Sequence, residues 1–310
     1  MHDKTHELGC WQNLEIFMHY SELSRRQLLA GTAALGLAGS LANAADSGPA
    51  VTKGRIRQSV MGWCFKPMKP EALITLCKSL GMHAIEGIST KAYPAAKEAG
   101  LDISLVGSHG FQKGPSDSKN HDVCEKKLNS AIDLAAAQGY KRVITFTGMR
   151  VDGLDDATMA DNCIALWKRV LAHAEKSKIT LCLEHLNSRD DSHPMKGHPG
   201  YFGDDVDFCA ELINRVGSPS LKLLFDCYHV QIMNGDVIRR IRQYKDIIGH
   251  YHTAGNPGRA ELDETQEMQY PPIMRAILET GYHGYVAQEF IPTWEDKAAA
   301  LRHAVALCDV

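Results

Sequence analysis

Four short apolar runs in the second half of this sequence each end in a residue that binds metal ions or moves protons. They read ITLCLEH with Glu184, LKLLFDCYH with Asp226 and His229, IIGHYHTAG with His252, and GYVAQEF with Glu289. Each run has the length of a buried parallel strand, and each acid or imidazole stands at its C-terminal end. If such strands alternate with helices around a barrel, their C-terminal ends meet on one face. Two glutamates, an aspartate and a histidine would then surround one point, a set suited to one divalent cation with mostly oxygen ligands. A helix N-cap explains any one of the acids, but it explains the four together poorly. Glutamate is a weak N-cap, and no helical pattern follows Glu184. His250 and His252 share one side of their strand by the period of two. His252 reads as the ligand, and His250, one layer deeper, as a supporting or core residue.

The chemistry that such a set suits is removal of a proton from a carbon beside a carbonyl. Aldose–ketose isomerisation and ketose epimerisation both pass through an enediolate, which water stabilises poorly. A divalent cation on the carbonyl and neighbouring hydroxyl oxygens offsets that charge by several kcal/mol. Glu184 and Glu289 come from different strands, so one can take the proton and the other return it; they are the catalytic candidates. Asp226 and His252 complete the ligand set. Mixed oxygen and nitrogen donors admit Mn²⁺, Mg²⁺, Co²⁺ or Zn²⁺, and the imidazole tilts the choice towards Mn²⁺.

Around the same mouth, four residues are candidates for holding substrate. His229 follows Asp226 by three positions, Arg259 offers a fork for a carboxylate or hydroxyl, and His109 and Glu86 stand just past strand ends. A turn histidine in solvent and a solvated loop arginine are the plain alternatives for His229 and Arg259. Trp63 and Phe111 offer apolar walls, and the loop carrying His193 and His198 reads as a lid.

These residues need eight strands to position them, and the chain supplies eight alternations. Strands are expected over 56–63, 83–88, 101–106, 142–146, 179–184, 221–226, 247–252 and 285–289. Helices are expected over 70–80, 93–99, 121–138, 156–176, 204–216, 236–244, 271–280 and 294–308. Short connections between such elements imply parallel strands with crossovers, and eight of them close a (β/α)₈ TIM barrel, here a single domain over 55–310. An open doubly wound sheet would need a glycine fingerprint after the first strand, and Gly62-Trp63-Cys64 does not supply one.

With 310 residues, 44% of them hydrophobic, the chain is long enough for such a barrel, which takes roughly 250. A net charge of −3 gives no reason to expect a nucleic acid or an anionic membrane as partner. The nine cysteines contain no C-x-x-C pair and read as small buried apolar residues, not a disulfide framework. Residues 1–44 read as an N-terminal extension with an export signal. Ser24-Arg25-Arg26-Gln27-Leu28-Leu29 precedes a weakly apolar run to Leu41, and Ala42-Asn43-Ala44 supplies a small-x-small cleavage pattern. The twin arginine resembles the bacterial twin-arginine signal, which implies a periplasmic or exported protein that crosses already folded. A cytoplasmic location is the alternative. The run is too short to span a bilayer comfortably, so no stable membrane insertion is expected once it is removed.

From about Arg55 to the C-terminus the sequence resembles the hydroxypyruvate isomerase family of the xylose-isomerase-like TIM barrels. The resemblance rests on Leu223-Leu224-Phe225-Asp226-x-x-His229, on His250-x-His252-x-Ala254-Gly255-x-Pro257-Gly258-Arg259, on Gln266-x-x-x-Tyr270-Pro271 before Gly281-Tyr282-x-Gly284, and on Glu289-Phe290-x-Pro292. It implies four metal ligands at Glu184, Asp226, His252 and Glu289, catalytic carboxylates at Glu184 and Glu289, and a small sugar or keto-acid as substrate. One departure matters. Related isomerases often carry Gln where this chain has His252, whereas ketose 3-epimerases carry His. The expectation is therefore an isomerase of hydroxypyruvate and tartronate semialdehyde type. A ketose epimerase or a lyase on oxidised sugars is open beside it, and so is a non-catalytic exported sugar-binding barrel. A homo-oligomer is compatible with everything read.

Overall fold

The computed structural model describes residues 48–310; the export-signal reading lies outside them. Strands β1 (Arg57–Val60), β2 (Ala84–Ile85), β3 (Asp102–Ile103), β4 (Arg142–Thr145), β5 (Thr180–Glu184), β6 (Leu221–Asp226), β7 (Ile248–Thr253) and β8 (Tyr285–Gln288) follow one another in chain order. All pair in parallel. One ladder runs β1-β8-β7-β6-β5-β4 and a second joins β2 to β3. Single parallel bridges, Met61 to Glu86 and Val106 to Val143, link the two ladders at both ends. The ring so closed is a TIM barrel, as the eight alternations imply.

The helices are α1 (Pro70–Leu80), α2 (Tyr93–Glu98), α3 (His121–Gln138), α4 (Asp156–Ser177), α5 (Val206–Val216), α6 (Cys227–Met233), α7 (Val237–Gln243), α8 (Tyr270–Glu279) and α9 (Lys297–Cys308). Their starts are chemically marked. Asp155, Asp205 and Asp296 each accept a backbone N–H from the first turn of α4, α5 and α9, and Pro70 opens α1 where no N–H is needed. Gly81 ends α1 at φ 78°, a conformation costly for any side chain.

Three differences from the sequence expectation have local causes. Helix α6 begins directly at the end of β6, because Asp226 turns its Oδ1 onto the N–H groups of Tyr228 and His229. The first strand stops at Val60, where Gly62–Phe65 form a single 3₁₀ turn. β2 and β3 shrink to two paired residues each, much shorter than their apolar runs.

Strand alternation separates two apolar clusters. Val143, Leu181, Leu183 and Leu223 face the helical shell, with Trp167 and Leu212 among their partners. Ile144, Cys182 and Leu224, the alternate residues of the same strands, form a smaller cluster with Leu105, Phe146, Leu186 and Tyr201. The eight described cysteines are all buried with free thiols, in line with their reading as small apolar residues. Among the described residues no helix is long and apolar enough to cross a membrane.

Candidate active site

Register brings the four acidic and imidazole side chains together. Asp226 of β6 pairs with His252 of β7, and Glu184 of β5 pairs with Leu224, two residues before Asp226 on the same side. Glu289 stands one residue past β8, where its N–H donates to the Thr253 carbonyl at 2.8 Å. One ligand atom from each of Glu184, Asp226, His252 and Glu289 lies within 4.8 Å of the other three, and all four residues are buried.

Two tyrosines hold these strand ends in place, of which the sequence motifs include only Tyr270, without giving it a role. The Tyr201 hydroxyl donates to the Glu184 carbonyl at 2.9 Å and accepts from Thr147 N at 3.0 Å. The Tyr270 hydroxyl donates to the Ala254 carbonyl at 2.6 Å and accepts from Ala254 N at 3.0 Å, just beyond His252. Nothing in a lone Tyr signals such a role, because each pins a strand end with which it shares no local pattern. Buried Glu261 likewise fixes the loop after β8, accepting from Thr293 N and Trp294 N at 2.6 and 2.8 Å.

Electrostatically the cluster is short of positive charge. Burial and the neighbouring Glu289 push Glu184 up to about 7, and burial pushes Asp226 up to about 6 against the pull of Arg259. Glu289 is the exception. Burial would raise it too, but Arg259 and His252 bring it down to about 2. His252 is held well above the ordinary imidazole range, since Glu289, Glu184 and Glu86 together outweigh its burial. The Arg259 Nη2 reaches Glu289 Oε2 at 2.7 Å and Asp226 Oδ2 at 3.3 Å, while its Nη1 donates to the Met195 carbonyl. His252 Nδ1 lies 2.5 Å from the same Glu289 oxygen. Both are ion-pair contacts that lack hydrogen-bond geometry, so Glu289 Oε2 is buried with no regular hydrogen bond among the described residues. A buried carboxylate oxygen without a donor, crowded by two more carboxylates, is what a divalent cation satisfies. The residues present fit such an ion.

A cavity of about 280 Å³ opens onto this cluster. Glu184, Glu289 and Arg259 form its polar end; Trp63, Phe111, Phe146 and Leu186 are among its apolar walls. Of the four substrate-binding candidates, Arg259 and His109 line the cavity, and Glu86 and His229 do not. Both ring nitrogens of His109 are engaged, Nδ1 with the Gly110 carbonyl and Nε2 with the Thr145 hydroxyl. Burial holds its value down at about 4, so it presents a neutral ring. His198 packs at a tilt on Phe111, with ring centroids 4.1 Å apart, and lines the cavity as well, while His193, from the same loop, is exposed.

His229 is wholly buried beside the ligands. Its Nδ1 accepts from the backbone and side-chain nitrogens of Asn187 at 3.1 and 2.7 Å. The proton therefore sits on Nε2, 3.5 Å from Asp226 Oδ2. Glu86 lies beneath His252, not at the mouth. It is fully buried and bonded to His250, His252 and Ser104. Burial would raise its carboxyl, but the two imidazoles hold it well below the ordinary range.

The xylose isomerase-like TIM barrel family matches residues 74–308 of this chain. A putative hydroxypyruvate isomerase from Homo sapiens is 28% identical over 213 residues, covering 64% of this chain and 73% of the relative. A 2-oxo-tetronate isomerase from Cupriavidus necator is 31% identical over 169 residues, covering 53% and 60%. Among solved structures, an AP endonuclease of family 2 from Brucella melitensis superposes with a TM-score of 0.70 at 23% identity, over 79% of this chain and 95% of that one. At that identity the likeness concerns the fold alone.

Proposed function

This chain belongs to the xylose isomerase-like TIM barrel family, and from that premise we propose that it is a divalent-metal-dependent isomerase. It interconverts a small keto compound and its aldehyde isomer, of the hydroxypyruvate and tartronate semialdehyde type. One observation carries the reading: the ligand atoms of Glu184, Asp226, His252 and Glu289 gather within 4.8 Å, and Glu184 and Glu289 bring the cluster to the polar end of an open-mouthed cavity. The curated relatives named as isomerases of small keto-acids support the substrate class.

Glu184, Asp226, His252 and Glu289 would hold the cation, with Mn²⁺ favoured by the mixed donor set. When bound it supplies Lewis-acid stabilisation of the negative charge that develops on the substrate oxygens. The protein supplies the rest. Glu184 and Glu289 both face the cavity, so one takes the proton from the carbon beside the carbonyl and the other returns it to the former carbonyl carbon, while the hydroxyl proton of the first carbon passes to the former carbonyl oxygen. Arg259, tied to Glu289 and Asp226, fixes their carboxylates and presents charge to the substrate's acid end. The apolar walls keep bulk water from the carbanion-like intermediate. Export by the twin-arginine route, with the ion loaded before the folded protein crosses, belongs to the same proposal.

The test is to incubate the Mn²⁺-loaded protein with hydroxypyruvate in D₂O and follow substrate and product by NMR. Tartronate semialdehyde carrying carbon-bound deuterium is the expected result. Binding without any carbon-bound exchange, for hydroxypyruvate and for C4–C6 ketoses alike, would leave a non-catalytic binding barrel instead. Exchange confined to ketoses, with inversion at carbon 3, would make it an epimerase.

A further inference from the structure

Beneath the ligand cluster lies a second buried polar group that the proposed proton transfer does not use. Glu86, just past β2, divides its two oxygens between β7 and the residue after β3. Oε1 accepts from His252 Nε2 at 2.8 Å. Oε2 accepts from His250 Nε2 at 2.9 Å and from the Ser104 hydroxyl at 2.5 Å. Ser104 in turn meets the Ser59 hydroxyl at 2.6 Å; since Ser104 donates to Glu86, Ser59 donates to Ser104. The bonds thus run in one direction, from β1 through the residue after β3 to Glu86. All of these side chains are buried.

The other nitrogen of His252 faces the opposite way, with Nδ1 3.1 Å from Glu184 Oε1. An imidazole that gives its Nε2–H to a carboxylate offers Nδ1 to a cation once the Nδ1 proton that faces Glu184 and Glu289 is displaced, and it loses its freedom to rotate. We infer that Glu86 is a positioning residue for the metal site: by accepting the Nε2–H of His252 it aims Nδ1 at the point shared with Glu184, Asp226 and Glu289. Ser104 and Ser59 hold the carboxylate in the orientation that does this. The inference rests on the metal reading above and adds to it a residue from the far side of the barrel.

A competing role has to be weighed. Glu86, His250 and His252 are themselves close enough to share an ion. The atoms they turn towards one another, however, are already paired in the two hydrogen bonds quoted. The four-residue cluster differs in holding an oxygen with no donor, Glu289 Oε2. One ion per chain, not two, is therefore expected.

Metal-free full-length protein titrated with Mn²⁺, with free Mn²⁺ followed by electron paramagnetic resonance, separates these outcomes. Wild type should bind one ion, and Asp226→Asn should abolish binding. Glu86→Gln keeps an acceptor for one partner but places an amide against donors. It should weaken Mn²⁺ binding about 10- to 100-fold at the same stoichiometry. A merely structural Glu86 would lower the melting temperature of the metal-free protein and leave the Mn²⁺ affinity of the folded fraction alone. Glu86→Gln within about three-fold of wild type would overturn the inference while leaving the metal reading intact. So would a second Mn²⁺ that vanishes with Glu86. Wild type that binds no Mn²⁺ would overturn both. If Glu86→Gln does not fold, Ser104→Ala decides, with a smaller loss of affinity expected and an unchanged affinity counting against the inference.

Discussion

The two halves of this barrel are built differently. Strands β5 to β7 are five or six residues long, paired over most of their length, and they or their ends carry Glu184, Asp226 and His252, with Glu289 at the end of neighbouring β8. Across the ring, β2 and β3 pair through two residues each, and single bridges tie them to their neighbours. The loop that follows β3, with His109 and Phe111, walls the cavity. Long ladders fix side chains to within a fraction of an ångström, which ligands of one ion require. A wall that only has to match the outline of a substrate can stand on less. The proposed chemistry therefore belongs to the strongly paired half, and the weakly paired half would shape what reaches it. Glu86 is where the two meet, since it leaves the short strand β2 and ends on His252 of the long one.

The sharpest way to break this division is Asp226→Asn. Asparagine is as good an N-cap as aspartate, so α6 and its bonds from Tyr228 and His229 should survive. Only the charge is lost. With Mn²⁺ binding lost, turnover should fall by at least about 10³-fold, several kcal/mol of barrier, while the far-UV circular dichroism is unchanged. Activity close to wild type in a well-folded variant would remove the metal reading from the long-strand half.

A smaller effect is expected on the opposite side. Phe111 packs at a tilt on His198 and edge-on against Phe146 in the cavity wall. Phe111→Ala deletes apolar contact of about 1–2 kcal/mol with the substrate, and no group that moves a proton. KM should rise about ten-fold with kcat nearly constant, the signature of binding lost equally in ground and transition states. A fall in kcat with KM unchanged would show that this wall takes part in the chemistry, and the proposed separation of roles would fail.

How much of this was legible in the sequence follows the same divide. The long strands announce themselves, because an apolar run ending in Glu or Asp shows both the element and its useful end. Leu221–Asp226 has the limits the pattern predicts. The short strands fall inside the runs expected at 83–88 and 101–106, but nothing in a run of six shows that only two residues pair. That is why Glu86 reads as a mouth residue although its partner His250 lies 164 residues further on. Helix α6 escapes for a related reason: one aspartate both ends a strand and caps a helix, so no loop residues mark the boundary. Arg259 lines the cavity, where the substrate-binding expectation needs it. Its bonds to Asp226 and Glu289 come from a fold-back at φ 53° that a loop sequence does not specify.

The smallest expected effect concerns how the weakly paired half is held at its start. Asp309, just after α9, accepts from Thr52 N, Lys53 N and Gly54 N at 2.6, 2.6 and 2.8 Å, clasping the residues that lead into β1. Burial alone would raise this carboxyl, but the three backbone donors outweigh it and the net shift is downward. A carboxyl lowered by folding stabilises the protein at pH values above its unfolded value of about 3.9, and that contribution fades as pH falls through the folded value. Asp309→Asn should therefore cost about 1–2 kcal/mol at pH 7, and its melting-temperature gap to wild type should narrow below about pH 4. A gap that ignores pH would mean the charge is not what holds the clasp. The same variant also probes the two halves. If Mn²⁺ affinity at pH 7 stays at the wild-type value, the β1 end can loosen without disturbing the ligands, because the ladders from β5 to β7 hold them on their own. If affinity falls along with stability, strain at β1 is reaching His252 through Ser59, Ser104 and Glu86, and the two halves act as one unit.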